Sequence, residues 1–308
     1  MITANLTPVR TTGFYAAFLN AKGRILNDVF IYPEIKSEGW LIEVDAKEAE
    51  TLARHIRRYK LRAKFEVRLL GEGERSVWSV WKGDGDGEWT AHSIDSGKGA
   101  HGVGCEDTRA PGMGRRVILP AGQKPEEDLE EVDEGLYRVR RYLRGVPEGQ
   151  DEMIRESALP QESNIDFMGG VDYRKGCYVG QELTIRTHHT GVIRKRILPV
   201  MLYGLDEPMP EALEFKPAAD LGVESIPGET SIGRFKKRGR SAGKFLAGVG
   251  NIGLSLCRLE IMTDTQIQGE VGGYKEGDEF NLDWELEGTG PQMVKIKAFV
   301  PPWHLTKH

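Results

Sequence analysis

Hydrophobic and polar positions divide this chain into a front part where strand and helix patterns alternate and a back part of short apolar runs. Phe14 to Leu19 and Ile25 to Tyr32 flank Asn20-Ala21-Lys22-Gly23, a turn whose glycine suits a left-handed backbone, so the stretch from Gly13 to Tyr32 is expected to be a β-hairpin. Trp40 to Val44 reads as a strand. Asp45 with Glu48 then forms a capping box for a helix that sets Ala49, Leu52, Ala53 and Ile56 on one face and ends near Tyr59. Alternation at Ala63, Phe65, Val67 and Leu69, followed by Val77 to Trp81, predicts two further strands and a β-α-β-β order.

Seven carboxylates in the nine residues from Glu126 to Glu134 repel one another and read as a solvated loop. Asp133 caps a second helix through Leu136, Val139, Tyr142 and Leu143, which stops at Gly145. From about Arg194 the texture changes to β-like runs broken by Gly and Pro: Ile197 to Tyr203, Phe245 to Val249, Leu256 to Met262 and Val294 to Val300. That spacing predicts a C-terminal β-barrel. Between its strands lies the basic loop Lys236 to Arg240, read as solvated.

The 308 residues suffice for two or three domains, and 39% hydrophobic residues, 29% charged residues and a formal charge of −5 describe a globular chain. No global charge points to nucleic acid, and no apolar run is long enough to span a membrane. Any basic site is therefore local. Cysteines at 105, 177 and 257 are too few and too far apart for a disulfide framework or a paired zinc site, which favours a reducing compartment. The N-terminus resembles neither a signal nor a transit peptide, so an organelle leader, if there was one, is expected to have been removed.

Several motifs are set aside. Gly97 to Gly102 and Gly248 to Gly253 both fit G-x-G-x-x-G, but neither is followed by a helical pattern, and both read as glycine-rich turns. Asp84 to Glu88 resembles a calcium loop, but Trp89 stands where an EF-hand needs glycine, so a hairpin tip is expected. His101 with Cys105, and His188 with His189, are unspecific as metal ligands; on a strand the adjacent histidines would point to opposite faces. Cys257 reads as a small buried hydrophobe and Cys105 stays undecided.

The chemistry concentrates in Lys175-Gly176-Cys177-Tyr178-Val179-Gly180-Gln181-Glu182. A thiol acts as nucleophile or metal ligand in its thiolate form, which adjacent Arg174 and Lys175 favour by charge. Gly176 and Gly180 are expected to leave the backbone uncrowded for a ligand or partner chain. Tyr178 either stacks on a ligand or fills core.

Together with Asn164-Ile165-Asp166, Leu183 to Arg186 and Gly191 to Arg196, this motif resembles the folate-binding YgfZ family, in particular its mitochondrial iron-sulfur cluster assembly members, relatives of the glycine-cleavage aminomethyltransferase. Leu19 to Asp28 is similar to the family's first hairpin, Asp107 to Arg116 to a second-domain segment, and Asn251 to Arg258 to a barrel strand. The resemblance implies an α+β fold of the aminomethyltransferase-like type: a three-domain ring of two α/β (ferredoxin-like) domains and a C-terminal β-barrel. The implied domains are 1–36 with 130–190, 37–129, and 191–308. It also implies a tetrahydrofolate-type pocket, with Asp28, Tyr178, Glu182 and Arg194 as candidate contacts, and a functional centre at Cys177 within Lys175, Gly176, Tyr178, Gly180, Gln181 and Glu182. Mitochondrial members act in the matrix with an A-type iron-sulfur carrier to make four-iron clusters. One thiolate cannot complete the four-cysteine set of an iron-sulfur cluster, so Cys177 is expected to share a two-iron two-sulfur cluster with that carrier.

Two departures bear on activity. Aminomethyltransferases carry paired aspartates after the first hairpin glycine, whereas this chain has Asn27-Asp28, and an amide is no proton acceptor. The chain also starts at Met1-Ile2-Thr3 where family members have an earlier strand and helix, so part of the first domain is expected to be missing. Three functions stay open: a non-catalytic assembly factor, which is favoured; a folate-dependent one-carbon enzyme; and a thiol enzyme with His188 or His189 as base.

Overall fold

The hairpin forms where its turn residues place it, as β1 (Phe14–Leu19) and β2 (Ile25–Glu34), joined through Gly23 at φ +76°. Asn20 organises the turn: its Oδ1 accepts from the amides of Lys22 and Arg24, both at 3.0 Å. The computed structural model describes residues 1–6, 10–34, 39–82, 103–125, 129–237, 239–267, 273–286, 288 and 290–306. The sequence readings at Asp84 to Glu88, Gly97 to Gly102 and His101, part of the acidic stretch (126–128) and Arg238 of the basic loop lie outside the described residues.

Chain contacts group into two compact units. Unit 1 holds residues 1–132, 155–157 and 165–183; unit 2 holds 133–154, 158–164 and 184–308.

In unit 1, β3 (Gly39–Glu43) joins the hairpin to give a three-stranded antiparallel sheet in the order β1-β2-β3. Asp45 is a cap, but the element it caps is a single 3-10 turn, Ala46–Glu48, through the Lys47 amide. Helix α1 (Ala49–Tyr59) then continues and buries Leu52, Ala53 and Ile56 against the hairpin, with Phe18, Leu26, Val29 and Ile31 in the same cluster. The strand expected over residues 63–69 is absent. Of the four alternating residues only Val67 packs on the core, while Ala63, Phe65 and Leu69 are exposed and no sheet edge among the described residues pairs with the segment. Alternation makes a strand only where another strand completes its hydrogen bonds, so β-α-β-β order is not realised. A second three-stranded sheet comes next, β4 (Arg75–Val80), β5 (Val103–Glu106) and β6 (Arg115–Pro120), in the order β4-β6-β5.

A buried charged network links the two sheets of unit 1. The Arg109 guanidinium grips Asp107 through two hydrogen bonds, at 2.9 and 2.7 Å, and Arg116 on β6 pairs with Glu43 on β3. Both guanidinium groups lie over the Phe30 ring, at 4.8 and 4.5 Å from its centroid. Tyr32 donates to Glu43 at 2.6 Å. Cys105 is buried beside this network and is therefore no candidate ligand; burial pushes its thiol up to about 12.

Unit 2 opens with α2 (Glu134–Arg144), whose caps match the sequence: Asp133 accepts from the Leu136 amide at 3.1 Å and Gly145 terminates it at φ +69°. Arg141 forms a buried bidentate pair with Glu152, at 2.7 and 2.9 Å, and Tyr142 donates to the same carboxylate at 3.0 Å. Helix α3 (Gln181–Thr190) starts in unit 1 and runs into unit 2.

Six strands then close a barrel: β7 (Lys195–Tyr203), β8 (Ser231–Arg234), β9 (Gly243–Val249), β10 (Ile252–Arg258), β11 (Phe280–Leu286) and β12 (Gly290–Ala298), in the order β10-β7-β12-β11-β8-β9. Closure leaves no free edge. Leu198, Val200, Leu202, Ile232, Phe245, Leu282 and Ile296 fill its interior, together with Cys257, which is buried as expected. The run expected from Leu256 to Met262 is part strand and part helix, since β10 stops at Arg258 and α4 (Leu259–Met262) comes directly after it. Helix α5 (Pro302–Leu305) ends the described chain and fixes Trp303, whose indole N–H donates to the Arg144 carbonyl at 2.9 Å. Gly248 to Gly253 is the β9–β10 turn, not a nucleotide loop. In the basic loop, Lys237 pairs with Asp278 at 3.2 Å.

Candidate functional site

Residues 171–180 form an irregular loop in unit 1 that leads into α3 and alternates between tethered and exposed positions. Its base is held by the N-terminal residues. Thr3, fully buried, exchanges hydrogen bonds with Ala17 of β1, its carbonyl accepts from the Asp172 amide at 3.0 Å, and its hydroxyl donates to the Gly170 carbonyl. Asp172 in turn accepts from the Arg174 amide at 2.9 Å. Lys175 reaches back to donate to the carbonyls of Ile2 and Ala4, at 2.7 and 2.9 Å. Its ammonium is also 5.0 Å from the Tyr178 ring centroid.

The sequence sets this cation beside the thiol, but the structure directs its charge to backbone carbonyls. Burial holds the Lys175 pKa below the ordinary lysine value, with nearby Asp172 opposing. Lys175 is thus an anchor first.

Downstream, Tyr178 is buried, and its amide donates to the Gln181 side chain at 3.0 Å, which ties the loop to the first residue of α3. Gly180 departs from the expectation that both glycines leave open space. A Cβ on Gly180 would lie 2.3 Å from the Asn20 carbonyl oxygen and 3.0 Å from the Gly23 Cα, and its φ is +80°. Here glycine is required because the loop sits directly on the hairpin turn. Gly176 meets the expectation: a Cβ there would find nothing within 4 Å.

Only Gly176 and Cys177 stand exposed between these two anchored sides. Of the three cysteines, Cys177 alone is exposed. Among the described residues no group of three or more His, Cys, Asp or Glu could hold a metal ion, so Cys177 can offer a metal one ligand. His188 and His189 lie in the last turn of α3 rather than on a strand, exposed, with ring centroids 5.0 Å apart. Helical placement removes the opposite-face argument made for a strand.

The candidate folate contacts differ in setting. Asp28 is buried in β2 and accepts from the Tyr15 hydroxyl at 3.3 Å. Asn27, fully buried, accepts from Arg155 at 2.8 Å, and Arg155 also pairs with Glu48 at 3.2 Å. Glu182 is exposed in the first turn of α3 in unit 1, and Arg194 is exposed in unit 2. Sequence reasoning missed the residues that seat the cysteine loop, Ile2 to Ala4 and the Asn20–Gly23 turn. The crowding at Gly180 and the acceptors of Lys175 are visible only once distant segments are brought together.

The fold is of the aminomethyltransferase type: glycine cleavage system aminomethyltransferase T from Bartonella henselae superposes with a TM-score of 0.58, covering 95% of this chain and 76% of its own, at 14% identity. The family described as CAF17, C-terminal beta-barrel domain, matches residues 194–304, the barrel. Relatives named iron-sulfur cluster assembly factor IBA57 homolog, mitochondrial, align along nearly the whole chain. That of Pyricularia oryzae is 53% identical over 316 residues, covering 98% of this chain and 78% of the relative. The Aspergillus clavatus relative is 50% identical over 328 residues, covering 96% and 72%. The chain belongs to this IBA57 family of mitochondrial iron-sulfur cluster assembly factors.

Proposed function

We propose that this protein acts in the mitochondrial matrix with an A-type iron-sulfur carrier, jointly holding a two-iron two-sulfur cluster through Cys177 on the way to four-iron clusters. The observation that carries this reading is a single exposed cysteine at the open point of a loop anchored on both sides, with the other two cysteines buried. A lone thiolate supplies one ligand to a cluster that needs about four, so the remaining ligands come from a second protein. Gly176 lets that protein's backbone approach, because a Cβ at Gly176 would meet nothing within 4 Å. The cluster is cargo in this reading, and no catalytic group is required.

The test is to mix the protein with the two-iron form of an A-type carrier and follow heterodimer formation and visible absorption. The expected result is a complex whose cluster spectrum is lost with Cys177→Ser. An unchanged holo-complex from Cys177→Ser would overturn the reading.

The same reading retains a tetrahydrofolate-type ligand, for which the supporting feature is the Asp28 carboxylate, buried beside the Tyr15 hydroxyl. A buried carboxylate suits the amine edge of a pterin ring. Calorimetric titration with tetrahydrofolate is expected to show binding that weakens about tenfold or more in Asp28→Asn. The alternative, a folate-dependent transferase, would need a proton acceptor where Asn27 stands with its amide oxygen taken by Arg155.

A further inference from the structure

The segment joining α1 to β4, in unit 1, brings exposed cations and exposed apolar side chains together within a short stretch of chain. Between Arg54 and Arg75 the chain has eight Lys and Arg against three Glu, although its formal net charge is −5. Two of those charges are spent within the fold, Arg68 on Glu74 at 2.9 Å and Arg75 on Glu34 at 3.1 Å. Arg58, Arg62 and Lys64 make no ion pair or hydrogen bond among the described residues.

Apolar side chains stand out between these cations. Leu61 is 87% exposed and held in the left-handed region at φ +49°, a conformation that leucine rarely adopts. Phe65, Leu69 and Leu70 are exposed as well. The segment is nonetheless built: the Ala63 amide donates to the Lys60 carbonyl at 2.9 Å, Arg57 donates to the Val67 carbonyl at 2.9 Å, and Val67 alone turns into the core.

We infer that this surface, residues 54–70, docks on an anionic phospholipid bilayer. Charge complementarity selects an anionic partner for Arg58, Arg62 and Lys64. The leucines and Phe65 then choose among anionic partners. A nucleic acid would satisfy the cations and leave Leu61, Leu69 and Leu70 in water. An acidic protein would need a groove matched to an irregular segment. A bilayer interface takes cations at its phosphates and leucine and phenylalanine at the acyl boundary, with no fixed geometry demanded of either. No helix among the described residues is long and apolar enough to cross a membrane. This inference is independent of the cluster reading.

Flotation of the full chain with phosphatidylcholine vesicles containing about one-fifth cardiolipin, against pure phosphatidylcholine vesicles, tests it. The expected result is binding to the anionic vesicles alone, weakening as salt rises. The triple charge variant Arg58→Glu, Arg62→Glu, Lys64→Glu is expected to lower partitioning about a hundredfold. At unchanged charge, Leu61→Ser with Phe65→Ser lowers it roughly tenfold. All these positions are exposed, so circular dichroism and thermal unfolding should stay as in the parent protein. Failure to float with either vesicle, or flotation that survives both variants, overturns the inference. So does full retention of binding in the serine variant, which would assign the surface to a nucleic acid or acidic protein. Self-association abolished by Leu61→Ser would likewise overturn it in favour of a second copy.

Discussion

Two exposed segments of unit 1 are built in opposite ways. In the cysteine loop, residues 171–180, exposure is confined to Arg174, Gly176 and Cys177, and the positions around the cysteine are tied to the N-terminal residues, to the first hairpin and to the start of α3. Along residues 61–70 exposure is nearly continuous, and the ties are a turn at Lys60, Arg57 on Val67 and Arg68 on Glu74. The first arrangement holds one atom at a defined position. The second spreads charge and apolar area over a surface with little constraint on shape. A metal ligand needs the former and an interfacial contact tolerates the latter.

The strongest way to break that contrast is Gly180→Val. Its side chain would overlap the Asn20 carbonyl in a backbone conformation hostile to β-branched residues, and a loss of about 2 kcal/mol or more is expected by denaturant titration. Cluster sharing should fall with it although Cys177 is intact. Lys175→Met removes two charge-assisted hydrogen bonds to carbonyls and is expected to cost about 1–2 kcal/mol, with a measurable rise in amide exchange over residues 171–177. If Lys175 served only to activate the thiol, stability would not change.

Alkaline titration reads the burial of Cys105 and Cys257. Burial raises the thiol pKa of Cys105 to about 12, and that of Cys257 also rises. Folding therefore favours the protonated thiols, and their contribution is complete below the unfolded thiol pKa. Unfolding free energy is expected to decline as pH rises from about 9 towards about 12, because the unfolded chain loses protons that the folded chain keeps. Over the same range a thiol reagent should label Cys177 in the native protein and reach Cys105 and Cys257 only on unfolding. At the small end, Phe65→Ser should leave stability within about 0.5 kcal/mol of the parent, since the ring lies on an exposed segment. A larger loss would mean that residues 61–70 are more tightly packed than this contrast allows.

How far the chain could be read in advance depends on how local each cause is. The hairpin and α2 were legible because Asn20, Gly23, Asp133 and Gly145 act within a few residues of the elements they shape. The barrel was legible from the rhythm of apolar runs and glycines, although the turn into α4 after Arg258 was not. Residues 63–69 misled because alternation describes a strand's faces and says nothing of whether an edge is there to receive it. At the site, Cys177 stood out by its neighbours, while the true tasks of Lys175 and Gly180 depend on Ile2, Ala4 and Asn20, which no local pattern connects to them.

The seating of Gly180 on the Asn20–Gly23 turn also sets a rule for length. Hairpin turns at a protein surface ordinarily accept extra residues. This one has Gly180 and Leu183 packed against it, so an inserted residue would lift the loop that ends in α3 and displace the sulfur. The turn of the first hairpin therefore works as a gauge block for the cysteine, and its four residues admit neither growth nor trimming.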